Sequence, residues 1–303
     1  MKKNFIKYLS VKYSMPEWLC RLFAKGYGKT KAENIFEAMN RVPPMTLHAN
    51  SLVNTREELA SLLAEAGIES TNTKSAPHGL RLRASTPYEN LLPFEGKFFV
   101  QDEASVLCTE AVDAQPGMTV LDICACPGSK SFGIALNMNN TGSLTAFDLH
   151  QNKLSLIEKG AVRLGLTNIK VEARDGRDFD QTLEAVADRV LCDVPCSGFG
   201  VLAKKPEIRY KDLSALAPLP DIQLAILENA CRYVKSGGVL VYSTCTIFPE
   251  ENEDNVARFL SRHPEFVPTD FTVGDLKSNS GMLTLTPDEH GTDGFFMAKF
   301  TKE

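Results

Sequence analysis

Two of the eight cysteines in this chain stand in settings that suit chemistry better than packing. Cys196 lies in the segment Asp193–Gly198 and Cys245 lies in the segment Tyr242–Thr246, where polar and turn-forming residues surround each thiol. A thiolate is a strong nucleophile whose reactivity depends on its pKa and its accessibility. The remaining cysteines are better explained as small buried hydrophobes: Cys20, Cys108, Cys124, Cys126, Cys192 and Cys231.

The surroundings of the cysteines favour free thiols. The basic start of the chain, Met1–Lys7, is not followed by the apolar stretch of a signal peptide, and no apolar run is long enough to cross a bilayer. We therefore expect reduced cysteines, a cytoplasmic location and no membrane contact. No metal is expected, because neither Cys124 with Cys126 nor Cys192 with Cys196 forms a paired CxxC framework with a nearby histidine.

The elements that must position these residues alternate between strand and helix from about residue 97 onward. Short apolar segments bounded by turn residues predict strands: Thr119–Ile123, Ser143–Asp148, Ile169–Ala173, Arg189–Asp193 and Gly238–Ser243. Helical segments lie between several of them: Ser129–Asn137, Gln151–Leu164, Pro220–Val234 and Glu250–His263. This rhythm predicts an α/β fold with a mostly parallel sheet covered on both faces. The last apolar pair, Met282–Leu285 and Gly294–Phe300, predicts an antiparallel edge hairpin.

Acidic residues recur at the carboxyl ends of these strands, where open α/β sheets bind their ligands. They are Asp122, Asp148, Asp175 and Asp193, and the first strand also runs into a Gly/Ser turn at the start of a helix. Such a turn lets the backbone approach a ligand, and the helix N-terminus offers free N–H groups. The GxGxxG and GxxxxGK[ST] fingerprints are absent, so an adenosine-bearing ligand without a pyrophosphate fits better. Asp148 would accept hydrogen bonds from ribose hydroxyls, and Asp175 one from an adenine amino group.

Residues 1–95 differ in pattern and predict a small α/β, RRM-like region, followed by a catalytic domain over 96–303. Four segments carry this prediction: helices over Met15–Arg41 and Thr55–Ala66, and strands over Leu47–Val53 and Leu80–Ala84. Pro87–Gly96 would link the two parts. Residues 1–50 carry nine basic and three acidic side chains in a chain whose net charge is −5. This basic excess could bind phosphates, although a solvated helical region is the simpler explanation of the charge alone.

Taken together, these segments resemble the Nop2/Sun family of RNA 5-methylcytosine methyltransferases, and most closely its bacterial ribosomal RNA small subunit methyltransferase B group. The matching segments are Met15–Leu19, Phe99–Ser105, Asp122–Lys130, Asp193–Gly198, Lys205–Tyr210, Tyr242–Asn252 and His290–Phe296. The combination of a PCSG-like and a TCT-like cysteine motif at this spacing is highly specific. The resemblance implies a Rossmann-like class I S-adenosylmethionine-dependent methyltransferase sheet with an RNA-binding N-terminal appendage.

The resemblance also implies roles for the matched residues. Cys245 would attack C6 of a cytosine in RNA, Asp193 would hold the edge of the base, and Cys196 would assist release of the methylated product. Lys205 and Arg209 would face RNA phosphates. The cofactor S-adenosylmethionine would be held by Asp148, Asp175, Asp193, Cys124, Ala125, Cys126, Pro127, Gly128, Ser129 and Lys130. The expected partner is RNA, with 16S ribosomal RNA as the first candidate, and we expect a monomer.

The chain departs from the family pattern in four respects. Cys126 and Ser129 replace small residues of the cofactor loop. Ser129 should be tolerated if its φ is negative. Cys126 adds bulk beside the methionine part of the cofactor and should lower the affinity of the protein for the cofactor. His48 stands two residues before Asn50, where the family usually has arginine, which puts one RNA contact in doubt. The N-terminal helical domain of longer members, similar to the antitermination factor NusB, is also lacking, so the RNA target would differ or would be recognised with less help.

Two other functions remain open from the sequence. A DNA cytosine-5 methyltransferase would use Cys196 as its nucleophile, but the Glu-Asn-Val motif and the large target-recognition region of that class do not follow this residue. A non-catalytic RNA-binding or ribosome-assembly factor could share the fold, but it would have no need for Cys245, Cys196 and Asp193 together.

Overall fold

The computed structural model of the chain describes residues 4–83 and 86–303. Ala84, the last residue of the predicted strand Leu80–Ala84, therefore lies outside the described residues, as do Lys2 and Lys3 of the basic N-terminal set. No helix in the described ranges is both long and apolar enough to span a membrane.

The N-terminal part combines three helices with a four-stranded antiparallel sheet. Its elements are α1 (Phe5–Tyr13), α2 (Glu17–Met39), β1 (Thr46–Ala49), α3 (Arg56–Glu65), β2 (Ser70–Asn72), β3 (Gly79–Leu82) and β4 (Phe98–Val100). The strand order is β2-β3-β1-β4. Gly28 interrupts α2 with a φ of 75°, which glycine adopts without strain. Thr55 caps α3, and the predicted capping box with Glu58 is present.

The boundary of this sheet differs from the predicted boundary at residues 95 and 96. β4 pairs with β1 through Leu47 and Val100, so the N-terminal sheet takes its last strand from the region predicted to be catalytic. A short 3₁₀ helix, Tyr88–Phe94, occupies most of the predicted linker. The N-terminal sheet therefore ends at Val100, a few residues after the predicted boundary.

The second part is the predicted α/β sheet with helices on both faces. Its first elements are α4 (Glu103–Val112), β5 (Thr119–Asp122), α5 (Ser129–Asn137), β6 (Ser143–Asp148), α6 (Leu154–Leu164), β7 (Ile169–Ala173), β8 (Ala187–Asp193), α7 (Leu213–Leu216), α8 (Leu219–Ala230) and β9 (Val234–Thr244). The chain ends with α9 (Glu253–Arg262), β10 (Phe266–Pro268), β11 (Thr272–Val273), β12 (Leu276–Lys277), β13 (Met282–Leu285), α10 (Pro287–His290) and β14 (Phe295–Lys302). The long sheet has the order β10-β14-β9-β8-β5-β6-β7, and β13 also pairs with β14.

The predicted fold class is confirmed, including its mixed pairing. β5 through β9 pair in parallel, and β14 pairs antiparallel with β9, β10 and β13. The predicted hairpin of β13 and β14 therefore exists, but β14 lies inside the sheet, because β10 and β13 both pair along its outer side. Apolar side chains cover both faces of the sheet in two separate clusters.

A third apolar cluster joins the N-terminal helices to the loops that carry the two cysteines. Phe23 of α2 packs against Phe248, with 4.9 Å between the ring centroids, and Trp18 packs against Phe199 at 5.8 Å. Phe199 follows the Cys196 turn, and Phe248 follows the Cys245 turn. We call this group of residues the shared core, because both parts of the chain contribute to it.

Candidate active site

The structure brings the thiols of Cys196 and Cys245 together. Their sulfur atoms lie 3.0 Å apart, within reach of an S–H···S hydrogen bond, and both cysteines are free and only partly buried. The pairing follows from the sheet: β8 and β9 are parallel neighbours, and Asp193 lies opposite Ser243. The chain leaves each strand at the same edge, so the two turns meet there.

The hydrogen bond between the thiols gives them different ionisation behaviour. Either sulfur can donate in this pair; with the proton on Cys196, the bond lowers the pKa of Cys245 below the usual thiol value even though burial acts in the opposite direction. The same bond raises the pKa of Cys196, and burial raises it further. Lys130 adds a smaller lowering effect on Cys245. Cys245 is therefore the thiol more readily ionised, and Cys196 is the one that keeps its proton.

Asp193 lies between the thiols and the cofactor loop and is held from two sides. Its Oδ2 accepts a hydrogen bond from Lys130 Nζ at 2.8 Å, and its Oδ1 accepts one from Ser243 Oγ at 2.8 Å. Burial lowers the pKa of Lys130, but the charge of Asp193, the hydrogen bond to Asp193 and smaller effects of nearby groups together outweigh burial and raise the pKa overall. The two hydrogen bonds fix the Asp193 carboxylate at the rim of the sheet.

The loop Cys124–Lys130 fits the cofactor that the sequence implies. Asp148 Oδ2 accepts a hydrogen bond from Cys126 N at 3.1 Å, and Asp148 Oδ1 accepts one from His150 N at 2.9 Å. Each oxygen retains a lone pair that could accept from a ribose hydroxyl. Gly128 has a φ of 108°, and a Cβ there would lie 2.8 Å from Phe132. The turn thus requires glycine, and it presents the N-terminus of α5 to the ligand side.

Two residues of the cofactor loop, Ser129 and Cys126, depart from the family pattern with different consequences. Ser129 is the first residue of α5 and its φ is negative, so its backbone is unstrained. Cys126 lies beside Asp148, where burial and then the carboxylate charge raise the pKa of its thiol to about 11. A protonated thiol at this position can donate to Asp148 and compete with a ribose hydroxyl.

We predict that Cys126→Ala strengthens the binding of S-adenosylmethionine. The substitution frees the Asp148 carboxylate from a neighbouring thiol donor, and one hydrogen bond gained by the ribose corresponds to about 1 kcal/mol, or roughly a fivefold lower Kd. Isothermal titration calorimetry measures the change directly. Cys231→Ala is the matched control, since Cys231 contacts Glu228 and His263 and not the cofactor loop, and an unchanged or weaker affinity for Cys126→Ala would contradict the idea.

Asp175 and Asp122 are placed differently from Asp148. Both carboxylate oxygens of Asp175 accept hydrogen bonds from the Arg177 side chain, at 2.9 and 2.5 Å, so a contact with adenine would have to share or replace this pair. Asp122 is fully buried and accepts from Ser131 Oγ at 2.6 Å. Burial raises the pKa of Asp122 to about 7, so this carboxyl supports the loop from beneath.

The structure places the two residues that were predicted to contact RNA differently. Lys205 is exposed, which leaves its prediction open. Arg209 is 9% exposed and donates to Ser14 O at 3.1 Å and to Asn40 Oδ1 at 3.5 Å. The prediction that Arg209 faces phosphates conflicts with this placement, because its guanidinium holds the α1–α2 region against the catalytic part.

His48 has no surface to offer to RNA. The residue is 1% exposed, and its Nδ1 lies 2.8 Å from Gln101 Oε1. Burial lowers the pKa of His48 to about 4, so the ring is neutral.

Sequence reasoning missed the groups that hold the cysteine turns. Glu251 and Asn252 are 7% and 0% exposed, and both contact the segments around the thiols. It also missed the cluster in which Lys204 Nζ binds Asp102 at 2.6 Å and Asp293 at 2.7 Å. The acidic segment Pro249–Asn252 was a signal for the first group, and nothing in the sequence pattern marked the second. Within residues 4–83 and 86–303, no group of three or more ligating side chains could hold a metal ion.

The comparisons with known proteins agree with this geometry. Residues 109–301 match the family described as 16S rRNA methyltransferase RsmB/F, and residues 15–89 match the ferredoxin-like domain of RsmF/B-like methyltransferases. A relative from Bacillus subtilis, described as a probable ribosomal RNA small subunit methyltransferase B, is 39% identical over 306 residues, which cover 98% of this chain and 68% of that protein.

Solved structures share the whole fold. PH0851 has a TM-score of 0.92 and 34% identity, and the match covers 100% of this chain and 69% of that one. NSun6 from Pyrococcus horikoshii, solved with SFG, has the same fold at a TM-score of 0.81 and 22% identity, over 99% of this chain and 98% of that one. From the family match and the close relatives, this chain belongs to the RsmB/F (Nop2/Sun) family of S-adenosylmethionine-dependent ribosomal RNA methyltransferases.

Proposed function

We propose that this chain methylates carbon 5 of an unpaired cytosine in small-subunit ribosomal RNA, with Cys245 as nucleophile and Cys196 as the group that assists release. The observation that carries the proposal is the pair of sulfurs 3.0 Å apart at the ends of two neighbouring parallel strands; the directions of their pKa shifts, lowered for Cys245 and raised for Cys196, agree with these two roles. One thiol is prepared to attack, and the other is prepared to hold a proton, at the rim where Asp193 and the cofactor loop also lie.

The chemistry requires this division of labour because C5 of cytosine is a poor nucleophile. The Cys245 thiolate adds to C6, and the electron pair of the C5–C6 bond becomes available at C5. Asp193 at the base edge would accept a hydrogen bond from the N4 amino group, next to N3, and so limit rotation of the ring. S-adenosylmethionine supplies a methyl group that is activated as a sulfonium. Removal of the C5 proton then restores the double bond and expels Cys245 as a thiolate.

Cys196 is placed to take part in that last step. Once Cys245 is bound to the base, its sulfur no longer accepts the Cys196 hydrogen bond as a thiolate, so the largest of the influences that raised the pKa of Cys196 is removed. Cys196 can then lose its proton to solvent, accept the C5 proton directly or through water, and return the site to its starting state with one proton released for each methyl group transferred.

The alternative functions are less well supported by the same geometry. A DNA cytosine-5 methyltransferase would need Cys196 as the thiolate, but the pKa of this thiol is raised, whereas the pKa of Cys245 is lowered. A non-catalytic assembly factor would have no need for two thiols 3.0 Å apart beside the Lys130–Asp193 salt bridge.

The test of the proposal is methyl transfer from labelled S-adenosylmethionine to three substrates: unmodified small-subunit ribosomal RNA, the same RNA already methylated in cells, and duplex DNA. We expect label in the unmodified RNA alone. In the RNA from cells the target carbon already carries a methyl group, and in duplex DNA the bases are paired, so C6 is not reached. Bisulfite sequencing of the product locates the modified cytosine. Label on DNA, or on a base other than cytosine, would overturn the assignment.

We predict that Lys205→Ala weakens RNA binding without changing S-adenosylmethionine binding. Lys205 is exposed, and loss of one phosphate contact should reduce the slope of log Kd against log salt by about 0.7 to 0.9. Fluorescence anisotropy at several salt concentrations gives that slope. Lys235→Ala is the control, because Lys235 pairs with Asp188 beside the start of β9, at the opposite edge of the sheet from the cysteines. Equal slopes for the wild type and Lys205→Ala would exclude a phosphate contact.

A further inference from the structure

Two adjacent residues, Glu251 and Asn252, reach the two cysteine turns from one point in the fold. They lie at the end of the short helical turn Pro249–Glu251 and at the start of α9. Both are buried, at 7% and 0% exposure. A buried carboxylate is costly unless it is satisfied by hydrogen bonds, so its partners show what the protein gains from it.

Glu251 holds the turn that carries Cys196. Its Oε2 accepts hydrogen bonds from Ser197 N at 2.9 Å and from Gln223 Nε2 at 2.7 Å. The same Gln223 nitrogen donates to Pro195 O at 3.0 Å. The residues on both sides of Cys196 are therefore tied, directly or through Gln223, to one carboxylate.

Asn252 holds the turn that carries Cys245 in a parallel way. Its Oδ1 accepts a hydrogen bond from Thr244 Oγ1 at 2.6 Å, and its Nδ2 donates to Thr246 O at 3.1 Å. These are again the residues on both sides of the cysteine. Ser197 Oγ donates to Thr246 Oγ1 at 2.9 Å and so links the two turns to each other.

We propose that Glu251 and Asn252 are positioning residues for the two thiols: Glu251 sets the place of Cys196, Asn252 sets the place of Cys245, and their adjacency in the chain fixes the distance between the sulfurs. This inference rests on the proposed function, since it assigns each residue to one step of that reaction. Neither side chain contacts a sulfur atom, so each acts through the turn it holds.

The charge of Glu251 supports its assignment to Cys196. Beyond the hydrogen bond to Cys245 and the effect of burial, the Glu251 carboxylate raises the pKa of Cys196 further. It therefore helps to keep Cys196 protonated, and able to donate to Cys245, before the RNA is attacked.

The two positions lead to separable defects. Loss of the Glu251 hydrogen bonds displaces Cys196, the thiol needed for release, so a covalent protein–RNA adduct should persist after methyl transfer. Loss of the Asn252 hydrogen bonds displaces the nucleophile Cys245, so the adduct should form slowly. A displacement of about 1 Å in such a group costs on the order of tenfold to a hundredfold in rate.

The first experiment compares Glu251→Ala, Glu251→Gln, Glu250→Ala and Cys196→Ala. Each is mixed with RNA and labelled S-adenosylmethionine, and first-turnover methylation, decay of the denaturant-resistant adduct and the melting temperature are measured. We expect Glu251→Ala to methylate in the first turnover but to release RNA about tenfold more slowly or worse. Glu251→Gln keeps an acceptor oxygen for both N–H groups, and exposed Glu250 touches neither turn, so both controls should release normally.

The second experiment places Asn252→Ala in the Cys196→Ala background and follows the rate of adduct formation. We expect about a tenfold decrease relative to Cys196→Ala alone. If either alanine variant does not fold, Gln223→Met replaces Glu251→Ala, since it frees the Pro195 carbonyl. In the same way, Thr244→Val replaces Asn252→Ala, since it removes the donor to Asn252 and keeps the side-chain shape.

The outcomes distinguish this inference from the function on which it rests. If Cys196→Ala traps RNA while folded Glu251→Ala or Gln223→Met releases it at the wild-type rate, the role of Glu251 is wrong. If Asn252→Ala or Thr244→Val leaves adduct formation unchanged, the role of Asn252 is wrong. If Cys196→Ala itself traps nothing, the fault lies in the proposed function.

Discussion

Replacing Cys245 with alanine is expected to abolish methylation of RNA, with a loss of about 10³-fold or more, because nothing else at this rim is prepared to add to C6. The variant should also form no covalent adduct with RNA, either alone or combined with Cys196→Ala. Binding of S-adenosylmethionine should be retained, since the cofactor loop and Asp148 do not depend on this thiol. Label transfer and denaturing gels measure the two losses.

A control variant and the pH dependence of the reaction test the same role of Cys245. Cys231→Ala removes a sulfur from a buried position at the end of α8, away from the site, and should leave activity unchanged. In the wild type, the pKa of Cys245 is lowered, so attack should remain fast below the usual thiol pKa and should fall only as pH drops through the lowered value. Activity that persisted in Cys245→Ala would mean that another group is the nucleophile.

Replacing Cys196 with alanine should have the opposite signature. Attack and methyl transfer proceed, but release stalls, so a methylated RNA should remain covalently attached to Cys245. Steady-state turnover should fall by about 10²- to 10⁴-fold, the usual contribution of a group that assists proton transfer. The adduct is measured as an RNA-sized mobility shift that survives denaturation and contains the methyl label.

Cys196→Ser provides a matched comparison for the role of the hydrogen bond. In Cys196→Ala the donor to Cys245 is lost while burial remains, so the pKa of Cys245 should rise, and adduct formation should shift to higher pH. A serine hydroxyl keeps a donor at that place, so in Cys196→Ser the pH profile of adduct formation should stay close to that of the wild type. If Cys245→Ala traps RNA and Cys196→Ala does not, the two roles are reversed.

The fold was predictable because its signals are local. Strands such as Ser143–Asp148 and helices such as Ser129–Asn137 were bounded correctly by apolar runs and turn residues. The N-terminal sheet was less readable, since β4 is only three residues long and pairs with a strand about fifty positions earlier. Periodicity carries no information about such a partner.

Part of the site was readable from the sequence, and part of it was not. Strand ends at a common edge predicted the meeting of Cys196 and Cys245, because parallel pairing fixes where the chain emerges. The burial of Arg209 could not be seen, since a charged residue near a basic segment is normally exposed. The roles of Glu251 and Gln223 depend on hydrogen bonds between segments that are 28 to 54 residues apart, and no spacing rule reveals them.

The shared core has a consequence for any attempt to exchange recognition regions between relatives. Phe199 and Phe248 fill space left by Trp18 and Phe23, and each buried aromatic ring contributes about 2 kcal/mol. A foreign N-terminal region with other side chains at these places would leave voids directly behind both reactive turns. Grafting a new RNA preference would thus require the rings of both partners to be transplanted as one set.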